Sequence, residues 1–317
     1  MPLRRQPHHA ADMTGLAHRL PSALVSMSRP SQLLLIGVVY LTGVAAARAS
    51  GTVDAEAATV GLCLVLLVAA SVHYANEYAD AEVDALTRRT AFSGGSGALS
   101  RSGLSRRVAL AAATATGLAG LGAGLAAVAL GSIPPIGLLL LGVGTIAGWL
   151  YSLPPALALS RRGLGEVSNA LLGGLLLPVY GYAVTGGSVP AWIVAAFLPF
   201  ALVDLANVLA TSWPDRQADA AVGKRTLATR RSAVWLRSVN LVALLLAGTL
   251  TVAMVGRAYP PSVAAASLAV APVAAFAAMR FTRVESPLWP VATMVGLIAL
   301  QLVAWSLIPP GSWNAAA

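Results

Sequence analysis

Nine long apolar segments limit what this chain can fold into. Its 317 residues are 57% hydrophobic and only 10% charged, whereas a soluble domain carries roughly 25% charged residues. A helix needs about 20 apolar residues to cross a bilayer, and segments of that length recur along the whole sequence. The sequence therefore predicts an all-α, polytopic membrane bundle. Its nine predicted spans are residues 31–48, 57–79, 106–130, 133–152, 166–185, 190–213, 232–255, 261–280 and 288–308.

The distribution of basic residues predicts how this bundle is oriented. Of the 21 Lys and Arg residues, all but Arg48 and Arg257 fall in the N-terminal segment or in the loops after every second span. Basic loops remain cytoplasmic. We therefore expect the N-terminus inside and the C-terminus outside, and the expected location is the plasma membrane of a prokaryote. Membrane topology then explains the net charge of +9, and no nucleic-acid partner is expected.

The chain divides into two predicted parts. Residues 1–28 are polar and rich in arginine, and the apolar positions between Leu16 and Met27 predict a short helix at the cytoplasmic membrane interface. A disordered tail is an equally good interpretation of residues 1–12. Residues 29–317 contain every predicted span and form the predicted transmembrane domain. The single cysteine, Cys63, excludes an intrachain disulfide.

Two sets of polar residues recur at four-residue spacing at the cytoplasmic ends of spans 2 and 6. Four residues is about one helical turn, so each set is predicted to form a stripe on one helix face. Each stripe is followed by basic residues and a threonine, which predicts a diverged repeat of two four-helix halves plus a ninth helix. The two stripes are Asn76, Asp80 and Asp84, and Thr211, Asp215 and Asp219.

Several carboxylates at one site need a counter-charge. Mg²⁺ prefers oxygen ligands and binds through one or two carboxylates plus substrate phosphates, and nearby arginine and lysine suit phosphate oxygens. The stripes therefore predict a magnesium–diphosphate site, in which the metal stabilises a diphosphate leaving group. The alternative is a solvated helix end with mixed charges. The predicted metal ligands are Asn76, Asp80, Asp84, Asp215 and Asp219, and the predicted phosphate-binding residues are Arg88, Arg89, Lys224 and Arg225.

The motifs Asn76-x-x-x-Asp80-x-x-x-Asp84 and Asp215-x-x-x-Asp219 resemble the two aspartate-rich motifs of the UbiA superfamily of intramembrane prenyltransferases. The resemblance extends from about residue 29 to the C-terminus. One departure is Thr211, where relatives often carry Asn. Supporting segments are Arg29-Pro30, Tyr151-Ser-Leu-Pro-Pro155, Arg162-Gly-Leu-Gly-Glu166 and Gly223-Lys-Arg-Thr226, of which the last is most similar to the 1,4-dihydroxy-2-naphthoate prenyltransferases of menaquinone synthesis.

This resemblance implies a nine-helix bundle around a central cavity. A polyprenyl diphosphate would bind with its head at the cytoplasmic motifs and its tail in a lipid-facing tunnel. Magnesium-assisted ionisation would give an allylic cation, which an electron-rich aromatic acceptor would attack to form a carbon–carbon bond. Under this interpretation Asp80, Asp84, Asp215 and Asp219 are catalytic residues that bind the metal.

A further carboxylate, Asp204, lies eleven residues before Asp215 and therefore on nearly the same helix face, about 16 Å deeper along the helix axis. Ionisable residues inside membranes are usually functional, so Asp204 is a candidate for orienting or deprotonating the acceptor. A structural Asp bonded near Asn207 is the alternative. Glu166 and Asn169 enter span 5 and either line the cavity or, for Glu166, favour the helix N-terminus.

Two other positions are predicted to contact substrate. Tyr151 is placed to stack on the allylic cation, or else it anchors the helix at the membrane interface. Ser93 lies in residues 92–97, a glycine-rich segment that resembles a lid over the diphosphate. A flexible linker is the alternative for that segment.

Two other functions remain possible on the same fold. A terpene cyclase or a carotenoid elongase would keep the metal–diphosphate site and change the acceptor, but Asp204 argues against an entirely apolar pocket. A transporter would spread ionisable groups across the midplane, whereas in this sequence they cluster towards one face. We therefore expect a prenyltransferase.

Overall fold

Nine helices long and apolar enough to span a membrane are present in the part of the chain that the computed structural model describes, residues 19–51, 53–87, 95–153 and 158–315. The predicted all-α fold with nine spans is therefore confirmed. The helices are α1 Pro30–Ser50, α2 Ala55–Leu86, α3 Arg106–Ala129, α4 Pro135–Ser152, α5 Gly165–Gly186, α6 Ala191–Thr211, α7 Ala233–Ala253, α8 Pro261–Arg280 and α9 Leu288–Ser306.

The helix starts follow from local sequence. Pro30, Pro135 and Pro261 occupy first-turn positions, where the missing proline N–H has no helical partner to lose. The Asp54 side chain accepts hydrogen bonds from the first backbone N–H groups of α2, as an N-cap residue does. Within α8, Pro272 follows a break between two helical segments, because proline cannot donate to the preceding turn.

The two predicted stripes differ in how they are built. Helix α2 continues to Leu86, about two turns beyond the predicted end, so the first stripe lies within a continuous helix. The prediction that the second stripe also lies on one helix is wrong. Helix α6 ends at Thr211, and Asp215 is the N-cap of a separate short helix, Arg216–Ala221. Pro214 explains the break, because its ring is incompatible with the preceding helical turn.

Helices α1 and α5 approach so closely that their backbones touch. A methyl group on Gly43 would clash with the carbonyl group of Pro178, and one on Gly181 would clash with the carbonyl group of Tyr40. Small residues allow this approach in membranes, where packing and hydrogen bonds replace the hydrophobic effect between helices. Tyr40 also donates to the carbonyl oxygen of Ala58 at 2.7 Å, so α2 is fixed against the same pair.

Glycines also set the contact between α5 and α6. Residues Leu172–Leu176 form a π-helical turn inside α5, and a Cβ on Gly174 would lie 2.6 Å from the Cα atom of Ala201. The inserted turn and the missing side chain let the two helices pack at backbone distance. Elsewhere α2 packs along α3 and α6 packs along α7, which are corresponding pairs in the predicted repeat.

The N-terminal segment packs on the bundle. Residues 19–27 are helical, and the buried side chains of Ala23 and Met27 join a cluster with Ala70 and Tyr74 of α2. Residues 1–18, including the start of the predicted interfacial helix, lie outside the described residues. The division of the chain at residue 28 stays a prediction.

We expect Gly43→Ala to destabilise the protein by about 1–3 kcal/mol, the usual cost of overpacking a filled site. The added methyl group must push α1 away from the Pro178 carbonyl group. Thermal unfolding in detergent measures the effect. Gly122→Ala in α3 is the matched control, because a Cβ there meets no atom within 4 Å. Equal melting temperatures for the two variants would contradict the close α1–α5 packing.

Candidate active site

The two aspartate motifs meet at the side chain of Lys224. Its Nζ atom lies 3.2 and 3.3 Å from the two carboxylate oxygens of Asp80 and 3.6 Å from Oδ1 of Asp219. The three side chains are 12%, 13% and 4% exposed, respectively. Helix α2 and the short helix after α6 therefore present acidic groups to one buried polar site.

Local backbone geometry places Lys224 there. Gly223 adopts a left-handed conformation with φ of 72°, and the N–H of Lys224 donates to the carbonyl oxygen of Asp219 at 2.8 Å. A glycine in this conformation is a common way to end a helix. Thr226 then caps the helix Leu227–Arg230. The Gly-Lys-Arg-Thr sequence thus turns the chain back towards Asp219.

The charges of this cluster are coupled. Burial by itself lowers the pKa of Lys224, but the carboxylates of Asp80 and Asp219 outweigh it and raise the pKa above its ordinary value. Burial raises the pKa of Asp219, and the charge of Lys224 opposes that shift. Lys224 is therefore a protonated ammonium group at neutral pH and supplies the counter-charge that the buried carboxylates need.

The predicted metal ligands are not gathered into one shell in this arrangement. Among the described residues, no group of three or more His, Cys, Asp or Glu side chains is placed to hold a metal ion. Oδ1 of Asn76 accepts a hydrogen bond from Ser152 at 3.2 Å. The carboxylate of Asp84 packs so closely on Gly95 that a side chain there would clash with it. Asp80 and Asp219 share Lys224 as a partner.

The predicted donors nevertheless suit a hard cation. All are amide or carboxylate oxygens, which magnesium prefers. Oδ1 of Asp219 is buried and makes no hydrogen bond within the described part of the chain, although the Lys224 ammonium group faces it at 3.6 Å. An acceptor of this kind is available to a cation that approaches between the two motifs.

Glu77 is a residue of this site that the sequence analysis missed. Its side chain is 2% exposed. Oε1 accepts from Arg29 Nη2 at 2.8 Å and from the backbone N–H of Ser96 at 2.9 Å, and Oε2 accepts from Ser96 Oγ at 2.7 Å. Glu77 therefore ties the start of α1 and the loop after α2 to the first motif. A carboxylate in an apolar helix needs a partner, and this is the signal by which Glu77 could have been found.

Glu166 has a similar structural role on the other side. It is buried, and its Oε1 accepts from the backbone N–H of Leu227 at 2.7 Å. Arg161 donates to the carbonyl oxygen of Ala79 at 3.0 Å, and its own carbonyl oxygen accepts from the N–H of Arg225 at 3.3 Å. These contacts dock the Gly-Lys-Arg-Thr segment on α5 and α2. The predicted phosphate ligand Arg225 is itself exposed.

The remaining predicted site residues lie in different places. The Tyr151 side chain contacts Asn169 and lies in the electrostatic range of Lys224. Asp204 is buried within α6, where Asn207 Nδ2 donates to it at 3.4 Å. Thr211 donates to the Val208 carbonyl oxygen of its own helix at 3.1 Å. Arg88, Arg89 and Ser93 lie outside the described residues.

A membrane bundle that buries carboxylates and a lysine at one polar site has the groups needed to bind a cation and an anionic substrate together. The chain belongs to the UbiA prenyltransferase family, whose model matches residues 36–308. It is therefore an integral membrane prenyltransferase, and the predicted membership of the UbiA family is confirmed. No curated protein sequence matches the chain.

Solved structures share the fold. A UbiA homologue from Archaeoglobus fulgidus, bound to GPP and Mg²⁺, is 18% identical with a TM-score of 0.65, covering 90% of this chain and 100% of its own. The same homologue bound to DMAPP and Mg²⁺ gives a TM-score of 0.62 at 18% identity, with 90% and 99% coverage. A digeranylgeranylglyceryl phosphate synthase is 13% identical with a TM-score of 0.65, covering 91% and 98%.

We expect Glu77→Gln to destabilise the fold by about 3–5 kcal/mol, because removing one partner of a buried ion pair leaves the other uncompensated. Glu82→Gln on the same helix is the matched control. Glu82 pairs with Arg106 at the surface, with side chains 69% and 49% exposed, and such pairs contribute about 0–1 kcal/mol. In detergent, Glu77→Gln should lower the melting temperature much more than Glu82→Gln does. Similar decreases would show that Glu77 does not link the start of α1 and the loop after α2 to the first motif.

Proposed function

We propose that this protein transfers a polyprenyl group from its diphosphate to an aromatic acceptor such as 1,4-dihydroxy-2-naphthoate, with Mg²⁺ as cofactor, in quinone biosynthesis. The observation that carries the proposal is the convergence of Asp80 and Asp219 on Lys224. The presence of prenyl diphosphates and Mg²⁺ in structures of the Archaeoglobus homologue supports it.

In this proposal the oxygen atoms of the two motifs hold the metal. When bound, Mg²⁺ supplies Lewis-acid stabilisation of the diphosphate leaving group. The ammonium group of Lys224 lies between Asp80 and Asp219, so it has to move away when the metal binds there. It then becomes free to bind a phosphate oxygen. The proposed ligands are Asn76, Asp80, Asp84, Asp215 and Asp219.

We assign the substrate-binding residues by the chemistry of their side chains. Lys224 and Arg225, with Arg88 and Arg89, neutralise the diphosphate, and Ser93 donates to it. Tyr151 lies in the electrostatic range of Lys224, which suits an aromatic ring that stabilises the allylic cation near its leaving group.

The naphthoate acceptor and the cellular setting are the finer parts of the proposal. The resemblance of residues 223–226 to the dihydroxynaphthoate enzymes supports menaquinone synthesis as the pathway. The bias of basic residues supports an N-terminus and an active site in the cytoplasm and a C-terminus outside. The proposed location is the plasma membrane of a prokaryote, in keeping with menaquinone synthesis.

The test is an assay of the purified protein with Mg²⁺, a polyprenyl diphosphate and a panel of acceptors. We expect pyrophosphate release, and mass spectrometry should show a prenylated dihydroxynaphthoate product. Chelation of Mg²⁺ by EDTA should stop the reaction. A cyclised hydrocarbon formed without acceptor would identify a terpene cyclase instead. Absence of pyrophosphate release with every donor would overturn the proposed function.

Variants of the two motifs test the metal site separately. We expect Asp80→Ala and Asp215→Ala each to lower pyrophosphate release by at least about 100-fold, the usual loss when charge stabilisation at a leaving group is removed. Glu82→Gln on α2 is the control, because its side chain is at the surface. If the Asp80 and Asp215 variants turn over at the control rate, the motifs do not hold the catalytic metal.

A further inference from the structure

The contact between α5 and α6 creates a place for polar groups inside the bundle. Gly174 packs on the backbone of Ala201, and its neighbour Gly173 lies in the same π-helical turn. Such turns are rare and are frequent at functional sites. Asp204 follows Ala201 by almost one helical turn. The close approach of the helices therefore brings Asp204 to the face of α5 that carries Gly173.

Two polar side chains lie beside Gly173, and a third bonds one of them. A Cβ atom at this position would lie 3.1 Å from Oδ2 of Asp204 and 3.8 Å from Oδ1 of Asn169. Asn207 donates from Nδ2 to the other Asp204 oxygen, Oδ1, at 3.4 Å. Asp204 and Asn207 are each only 7% exposed. Oδ1 of Asn207 is buried and has no hydrogen-bond partner among the described residues.

Exposure decreases along this set of residues. Asn169 is exposed, Gly173 is half-buried and Asp204 is buried. The exposed fraction therefore decreases from Asn169 to the Asp204–Asn207 pair. Tyr151 contacts Asn169 and lies in the electrostatic range of Lys224. These residues thus run from the side of the proposed diphosphate site towards the membrane interior.

Buried polar groups are costly unless they are hydrogen-bonded. Asn207 supplies a bond to Oδ1 of Asp204, whereas Oδ2 points to the space over Gly173, where this chain has no side chain. A ligand hydroxyl group at that position would donate to Oδ2. An apolar double bond would leave the carboxyl group unsatisfied, and a site built to bond a hydroxyl group discriminates strongly against a ligand that lacks it.

We propose that Asp204, Asn169 and Gly173 form the acceptor subsite and that Oδ2 of Asp204 accepts a hydrogen bond from a hydroxyl group of a phenolic acceptor. Asn207 is a positioning residue that fixes the Asp204 carboxyl group. The inference rests on the proposed function and specifies the chemical class of its second substrate. It assigns no role to Asp204 in binding the prenyl diphosphate.

The first test separates the two substrates. Asp204→Asn, which preserves shape, should raise the KM for dihydroxynaphthoate by about 10- to 100-fold, the range for a hydrogen bond to a charged group. The KM for the polyprenyl diphosphate should stay unchanged. Equal changes in both KM values, or no change in either, would overturn the proposal. A merely structural role of Asp204 would not produce this split.

The second test varies the ligand. Hydroxynaphthoates that lack one of the two hydroxyl groups serve as competitive inhibitors of the wild-type protein and of Asp204→Leu. The wild type should bind one of them at least about tenfold more weakly than the other, and Asp204→Leu should bind both equally. Discrimination that persists in Asp204→Leu would show that another residue recognises the hydroxyl group.

The third test fills the space over Gly173 without changing a polar group. Gly173→Ala places a methyl group against Oδ2 of Asp204 and should raise the acceptor KM by about tenfold or more, with normal prenyl diphosphate binding. Gly142→Ala in α4 is the control, because its Cβ meets no atom within 4 Å. An unchanged acceptor KM in Gly173→Ala would overturn the subsite. Failure of the proposed function would appear differently, as wild-type protein that releases no pyrophosphate.

Discussion

The fold depends on how it neutralises carboxylates buried at one end of a membrane bundle. Asp80 and Asp219 come from distant parts of the sequence, and the Lys224 ammonium group lies between them. Such charges are tolerated away from water only when they are paired. This requirement brings α2 and the loop after α6 together, and it explains why the Gly-Lys-Arg-Thr segment turns back onto Asp219.

Two other buried carboxylates hold the surroundings of this cluster in place. Glu77 joins the start of α1 and the loop after α2 to the first motif, and Glu166 joins α5 to the segment after the second motif. Both oxygens of Glu77 accept hydrogen bonds, whereas Oε2 of Glu166 and Oδ1 of Asp219 are buried without a hydrogen-bond partner in the described part of the chain. Glu77 is thus fully engaged in holding the backbone, and Asp219 keeps an oxygen atom available to a ligand.

Much of this architecture could be predicted from the sequence. The length of the apolar segments is enough to find nine spans. The regular spacing of the acidic residues predicted Asp80 and Asp219 as site residues, because carboxylates are rare within and next to apolar spans. The break in the second stripe was predictable only by giving Pro214 more weight than periodicity. Glu77 and Glu166 were harder, since their partners are a distant arginine and backbone N–H groups, which no local spacing reveals. The contact of Gly173 with Asp204 depends on a π-helical turn that has no simple sequence signature.

Because of the helix break at Pro214, the two aspartate motifs are held in the structure in different ways. Asp80 belongs to a continuous 32-residue span, so its position is fixed by the whole bundle. Asp219 belongs to the six-residue helix Arg216–Ala221, which Arg216 joins to Glu285 in the loop before α9. Adjusting the width of the acidic site therefore requires only a small tilt of this surface helix, while the transmembrane helices keep their packing in the lipid.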